Sequence, residues 1–182
     1  MRGLSMSMRS RAVNILFAAL GAGLLAFVLL HGAGQTGGMT PINLRRPMPP
    51  LVLPTLDGGT WRMEKHRGEV VMVNYWASWC APCWDETPML IRLGREYEGR
   101  GLSVVGVAMD ESGTEKVRSF VERFGVDYPV ALPQEMSQMA YGMDGLPTTI
   151  LVDRKGRVAK SYSGAVREKD LKADVEALLK EP

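Results

Sequence analysis

The chain has 182 residues, of which 46 % are hydrophobic and 23 % charged, with a formal net charge of +2 and two cysteines. Charge this close to balance excludes the broad basic field that nucleic-acid binding needs, so no nucleic-acid partner is expected. Two cysteines and two histidines are also too few, and too scattered, for a four-ligand structural zinc site.

Arg2, Arg9 and Arg11 come first, with no acid among them. Ala12 to Leu30 then runs without a charge. At ~1.5 Å per residue it reaches roughly 28 Å as a helix, about the thickness of a bilayer core. Basic residues before it predict a cytoplasmic N-terminus, with the remainder outside the inner membrane. A cleaved signal peptide is the alternative, with Gly32-Ala33-Gly34 as its small-residue site, but the length of the apolar run favours an anchor. The chain is therefore expected to comprise residues 1–34 as cytoplasmic stub, transmembrane signal-anchor and start of a linker, 35–49 as linker, and 50–182 as one domain in the periplasm or extracytoplasmic space. Setting aside the three early arginines leaves 19 basic against 20 acidic residues.

The domain opens with LVLPTLDGGTWRM, a β-hairpin turning at Asp57-Gly58-Gly59. EVVMVNYWA, from Glu69 to Ala77, is a near-continuous apolar run suited to a strand buried on both faces. A helix is predicted from Cys83 to about Glu98, with Met89, Leu90 and Leu93 on one side. LSVVGVAMD, from Leu102, is a second buried strand, parallel to the first. Ser112 and Glu115 resemble a capping box, followed by Val117, Phe120, Val121 and Phe124 at helical spacing. YPVAL reads as a short strand and QEMSQMAYG as a short helix. TTILVDRKGRVAKSYSG is a second hairpin, turning at Asp153 to Gly156, and Leu171, Val175, Leu178 and Leu179 form the apolar face of a last helix. The fold class is α/β, with a central mixed β-sheet flanked by helices, parallel first and antiparallel at the end.

Both cysteines lie in Trp79-Cys80-Ala81-Pro82-Cys83-Trp84. A c-type haem needs histidine where Trp84 stands. A disulfide closing so small a loop contributes little stability, which leaves a redox role. A thiolate near a helix N-terminus faces unpaired N–H groups and the positive end of the helix dipole, which favours ionised Cys80. Cys83, deeper in the helix, is expected to be less exposed. Cys80 is thus the candidate attacking sulfur and Cys83 the resolving one. No cofactor and no metal is expected.

VVMVNYWASWCAPC, the Glu86-Thr87-Pro88 segment, GVAMD and YGMDGLPTTILVDRKG together resemble the membrane-anchored TlpA/ResA/DsbE-like thiol–disulfide oxidoreductases, over roughly Pro50 to Leu179. The resemblance implies a thioredoxin-like fold, with the redox-active disulfide Cys80–Cys83. It also implies a cis-proline loop at Gly145-Leu146-Pro147-Thr148, whose Leu146–Pro147 backbone receives an extended client segment beside Cys80. Glu86 takes, by the same resemblance, the place of an acid that tunes or relays protons for the cysteines; a solvated helix glutamate is the bland alternative. Asn74 stands where ordinary thioredoxins have a buried aspartate, and Pro88 matches the usual kink of the active-site helix. Trp84 departs from the pattern, and two readings stay open: a client-docking surface together with Trp79, or a cover for a neighbouring apolar rim. Met136, Met139 and Met143 invite a copper site, but their helical spacing reads as core packing. The proline approach that a peroxiredoxin needs is missing from NYWASWC.

The resemblance implies a protein-disulfide reductase fed by a transmembrane thiol carrier of the CcdA or DsbD kind. Its expected client is an apocytochrome c, linking it to cytochrome c maturation, or a copper-delivery protein for oxidase assembly. Thr148-Thr149 after the proline leans towards the TlpA/ResA side. The alternative is a thioredoxin-fold copper-binding or chaperone module without redox turnover.

Overall fold

The computed structural model describes residues 38–111, 113–133 and 145–182. They run as β1 (Val52–Pro54), β2 (Thr60–Arg62), β3 (Val70–Trp76), α1 (Ala81–Tyr97), β4 (Leu102–Ala108), α2 (Thr114–Phe124), β5 (Val130–Ala131), β6 (Thr148–Val152), β7 (Val158–Ser163) and α3 (Glu168–Lys180). Short 3-10 turns cover Ile42–Leu44 and Met63–His66.

Every residue of β3 is buried, which is what its unbroken apolar run demands of a central strand. The sheet order is β5-β4-β3-β6-β7. β3 pairs in parallel with β4, and β4 with β5, while β6 lies antiparallel to both β3 and β7. The mixed sheet is the one expected.

Successive residues of β3 point to opposite faces. Val71, Val73 and Tyr75 join a core with Val105, Val107, Ile150 and Val152 that is closed by Leu53, Trp61 and Met63. Val70 and Met72 face the other way, onto Leu90, Leu93 and Tyr97 of α1 and Leu171, Val175 and Leu178 of α3. A third cluster gathers at the end of β3, where Trp76, Ala77 and both cysteines meet Val117 and Phe120 of α2. β1 and β2 pair antiparallel, with Leu53 opposite Trp61, around a turn in which Gly58 takes φ +88°.

Several boundaries differ from the sequence reading. α1 starts at Ala81, not Cys83, because Cys80 already has the extended backbone of an N-cap and Pro82 fits the first turn. α2 is capped by Gly113 at φ +73° without a side-chain hydrogen bond, one residue later than a Ser112 cap; Ser112 itself lies outside the described residues. The QEMSQMAYG segment and Met136, Met139 and Met143 also lie outside them.

The compact unit begins at Gly38, not at residue 50. The stretch read as linker is bonded to the domain from Thr40 onwards: Thr40 N–H donates to Ala159 O (2.8 Å), the β7 residue Val158 donates to Arg46 O (2.9 Å), and Met48 donates to Gly156 O (2.9 Å). Arg45 is buried beneath these bonds. Backbone pairing of this kind leaves no trace in composition, and Arg-Arg-Pro-Met-Pro-Pro reads locally as a linker. Among the described residues no helix is long and apolar enough to cross a membrane, and Ala12 to Leu30 lies outside them.

Candidate active site

β3 ends at Trp76, and the turn Ala77-Ser78-Trp79 delivers the chain to α1. Asp110, just beyond β4, holds this turn: Ser78 donates its N–H to Oδ2 (2.9 Å) and its hydroxyl to Oδ1. Trp84, one turn into the helix, donates its Nε1–H to the Ser78 carbonyl (2.8 Å). The segment before Cys80 is therefore fixed from two sides. Sequence reading placed Asp110 in a motif but gave it no task; its partner is 32 positions away.

Cys80 and Cys83 are joined as a disulfide, with Cα atoms 5.3 Å apart. Cys80 is the N-cap of α1, its N–H donating to Ala77 O (3.1 Å), and Cys83 N–H donates back to Cys80 O (3.0 Å). Cys80 thus sits where helix N–H groups and dipole favour an anionic sulfur once the bond is reduced. The expected contrast in exposure is small. Cys80 is 5 % exposed and Cys83 2 %, because both fall in the third cluster, against which Leu146 and Met109 also pack. The larger exposed surfaces are Trp79, at 67 %, and Trp84, at 36 %.

Pro147 follows a cis peptide bond from Leu146, and Leu146 packs on the disulfide cluster. The Pro147 carbonyl already accepts from Gly164 N–H (2.8 Å) and the Gly145 carbonyl from the Thr148 hydroxyl (2.7 Å). Of the pair expected to meet a client, Pro147 has thus committed its carbonyl to the protein itself.

Glu86 is buried, which removes the solvated-helix alternative. Asn74 Nδ2 donates to its Oε1 (2.9 Å), Thr149 Oγ1 donates to the same oxygen (3.2 Å), and Val166 N–H donates to Oε2 (3.2 Å). Asn74 also donates to Thr149 Oγ1 (3.0 Å). Burial pushes the Glu86 carboxyl above its ordinary value, opposed but not outweighed by the Val166, Thr149 and Asn74 donors. Thr149 and Val166 escaped sequence reading as parts of this cluster. A polar Asn74 inside an apolar strand was the available signal, since a buried amide needs partners.

Trp84 packs towards α2 and stays partly open to solvent. Its ring tilts against Phe124 at 6.4 Å between centroids, with the Arg123 guanidinium 5.0 Å from its centre, while a third of it stays exposed. His66 lies away from this site, stacked on Trp61 at 5.0 Å and hydrogen-bonded to Glu69 at 2.8 Å. Among the described residues no group of three or more His, Cys, Asp or Glu is arranged to hold a metal. What the arrangement can do is exchange a dithiol for a disulfide, on a helix whose next turn carries a buried carboxyl with a raised pKa.

Comparison with known proteins agrees. The Redoxin family model matches residues 44–179. The thiol-disulfide oxidoreductase ResA of Geobacillus thermodenitrificans (strain NG80-2) is 33 % identical over 172 residues, covering 94 % of each chain. ResA of Bacillus subtilis (strain 168) is 29 % identical over 151 residues, 79 % of this chain and 84 % of that one. Among solved structures, a secreted thiol-disulfide isomerase from Corynebacterium glutamicum superposes with a TM-score of 0.73 at 26 % identity, over 82 % of this chain and 95 % of its own. With a disulfide-bonded cysteine pair at the head of α1, the chain belongs to the Redoxin family, as a thioredoxin-fold thiol–disulfide oxidoreductase of the TlpA/ResA/DsbE type.

Proposed function

We propose that this protein is a membrane-tethered reductase of specific client disulfides in the periplasm or extracytoplasmic space. The observation that carries the reading is the placement of Cys80 as N-cap of α1, with Cys83 within the same turn and Glu86 buried one turn further on. In the reduced protein the Cys80 thiolate attacks one sulfur of the client disulfide. The client's other sulfur leaves as a thiolate and takes up a proton. Cys83, deprotonated, then attacks Cys80 Sγ, which frees the second client thiol and leaves the Cys80–Cys83 disulfide. Two electrons have passed to the client, and a transmembrane thiol carrier of the CcdA/DsbD kind returns them.

Glu86 serves as the nearby proton store in this reading, held neutral more readily than an ordinary carboxyl. Trp79, Trp84, Leu146 and Pro147 form the client contacts. The reductive direction belongs with the proposed oxidising compartment, where a dedicated electron supply would be needed only to reduce. The named function of the ResA relatives, thiol-disulfide oxidoreductase, supports the chemistry. The client is an apocytochrome c whose haem-binding cysteines have become oxidised, or a copper-delivery protein for oxidase assembly. Ala12 to Leu30 supplies the tether.

The test is a covalent trap in cells producing the full chain. Cys83→Ala keeps the attacker and removes the resolver, so mixed disulfides accumulate and can be separated without reductant. Cys80→Ala should trap no client. Equal trapping by both variants, or by neither despite normal expression, would refute the division of roles. Carbonate washing of the same membranes checks the tether: a shortened, fully soluble protein would mean a cleaved signal instead.

A further inference from the structure

The site has a wall that the redox chemistry does not use. A groove of about 410 Å³ runs from Ser78 and Trp79, directly before Cys80, along Trp84 to the exposed side of α2, where Phe120 and Phe124 line it. Its rim carries Lys116 and Arg123, with Glu115 the single acid. Among the described residues neither Lys116 nor Arg123 takes part in an ion pair. The Arg123 guanidinium lies over the faces of Trp84 and Phe124, 5.0 and 5.5 Å from the ring centres.

We propose that this groove receives the client segment flanking its target cysteine, and that Arg123 selects for a carboxylate side chain next to an apolar one on that segment. The inference rests on the client-reductase reading above and names the chemistry of the client. Four features support it. The groove begins at Ser78 and Trp79, the two residues directly before Cys80, so a chain whose sulfur reaches Cys80 can lie along it. Its floor is aromatic and pre-set, since the Trp84 indole is pinned to the Ser78 carbonyl and loses little freedom on binding. A guanidinium lying over an aromatic ring keeps its edge N–H groups free for paired hydrogen bonds to a carboxylate, so the same residue offers a flat apolar contact and a charge. The excess of cations over Glu115 makes an acidic segment the complementary occupant and a basic one the rejected occupant.

The probe is a set of short peptides whose single cysteine carries a 2-pyridyl disulfide. Leu flanks the cysteine, and Glu, Gln or Lys is placed in turn at each neighbouring position. Reduced full-length protein in detergent is mixed with each, and release of 2-thiopyridone in this single turnover gives a second-order rate constant. Every rate is divided by the same protein's rate with 2,2′-dithiodipyridine, so a general loss cancels. The expected result is a preference for Glu over Lys of up to about fivefold at one or more positions, the range of a partly exposed ion pair. Arg123→Gln should flatten that preference and Arg123→Glu should invert it. Rates blind to charge in the unmodified protein, or a preference that survives Arg123→Glu, would overturn the proposal. Failure of the unmodified protein to react with 2,2′-dithiodipyridine is a different result: it would remove the reductase reading itself, and the groove with it.

Discussion

Asn74 in β3 and Glu86 in α1 are joined by a 2.9 Å hydrogen bond in the buried space between sheet and helix, twelve residues apart in the chain. The same Glu86 oxygen accepts from Thr149 of β6, and the other from the backbone of Val166. One carboxyl therefore ties the helix that carries the disulfide to the two central strands and to the loop before α3.

Its ionisation should be visible in stability. Burial holds the folded-state pKa above the ordinary 4.5, so the folded protein binds this proton more tightly than the unfolded chain. The resulting stability is complete below 4.5 and is lost as pH rises through the elevated value. Glu86→Gln cannot ionise, and Asn74 can turn its amide to match the new donor. Denaturant unfolding of the oxidised protein from pH 4 to 8 should show the variant gaining on the unmodified protein as pH rises. A constant offset across that range would contradict the assignment.

The same substitution should alter thiol reactivity. An ionised carboxylate near a thiol disfavours the thiolate. Replacing Glu86 by Gln should move the alkylation midpoint of Cys80 in the reduced protein to lower pH, measured as iodoacetamide rates against pH. Superimposable profiles would mean that Glu86 acts on the fold alone.

Arg45 makes the case for the N-terminal strap. Its guanidinium bonds Glu181 at 2.5 and 2.7 Å, Asp153 at 3.1 Å and the Thr40 carbonyl at 2.9 Å, with the arginine side chain 2 % exposed. Arg45→Met leaves the Asp153 charge buried with only Arg157 and backbone donors, and should cost about 3 kcal/mol in urea unfolding. Burial alone would raise the Asp153 carboxyl, but hydrogen bonds from Arg157 and Arg45 hold it below its ordinary 3.8. Its contribution is present above 3.8 and lost as pH falls through the depressed value, so the variant should also lose stability less steeply on acidification.

Gly106 in β4 should resist enlargement. A Cβ there would stand 2.7 Å from Trp76 Nε1 and 3.0 Å from Tyr128 Cε2. Trp76 is stacked on Phe120 at 4.2 Å behind the disulfide and cannot retreat without moving α2. Gly106→Ala should destabilise by about 1–3 kcal/mol, with a loss of near-ultraviolet dichroism from Trp76. A neutral substitution would show that the tryptophan has room to shift.

Local pattern determined a great deal. The near-continuous apolar run from Val70 to Trp76 suits a strand covered on both faces, and the strand is buried throughout. The spacing of Leu171, Val175 and Leu178 marks the buried stripe of α3. Pro82 between two cysteines at a strand-to-helix junction places both sulfurs in one helical turn. These features repeat within a few residues, so neighbours along the chain carry the information.

What the chain could not declare by itself depends on residues far apart in it. Thr149 meets Glu86 only because β6 pairs antiparallel with β3, setting Thr149 opposite Asn74. Asp110 reaches Ser78 because β4 runs parallel to β3 and ends beside it. The strap from Thr40 to Met48 looked like linker because its stability comes from bonds to the β6–β7 turn and strand β7, and from carboxylates at positions 153 and 181. Arg123 reads as one exposed cation on a helix until α2 lays it across Trp84. Side chains with two plausible environments, polar yet buried or basic yet stacked, are assigned to one of them only when the sheet order decides which distant groups surround them.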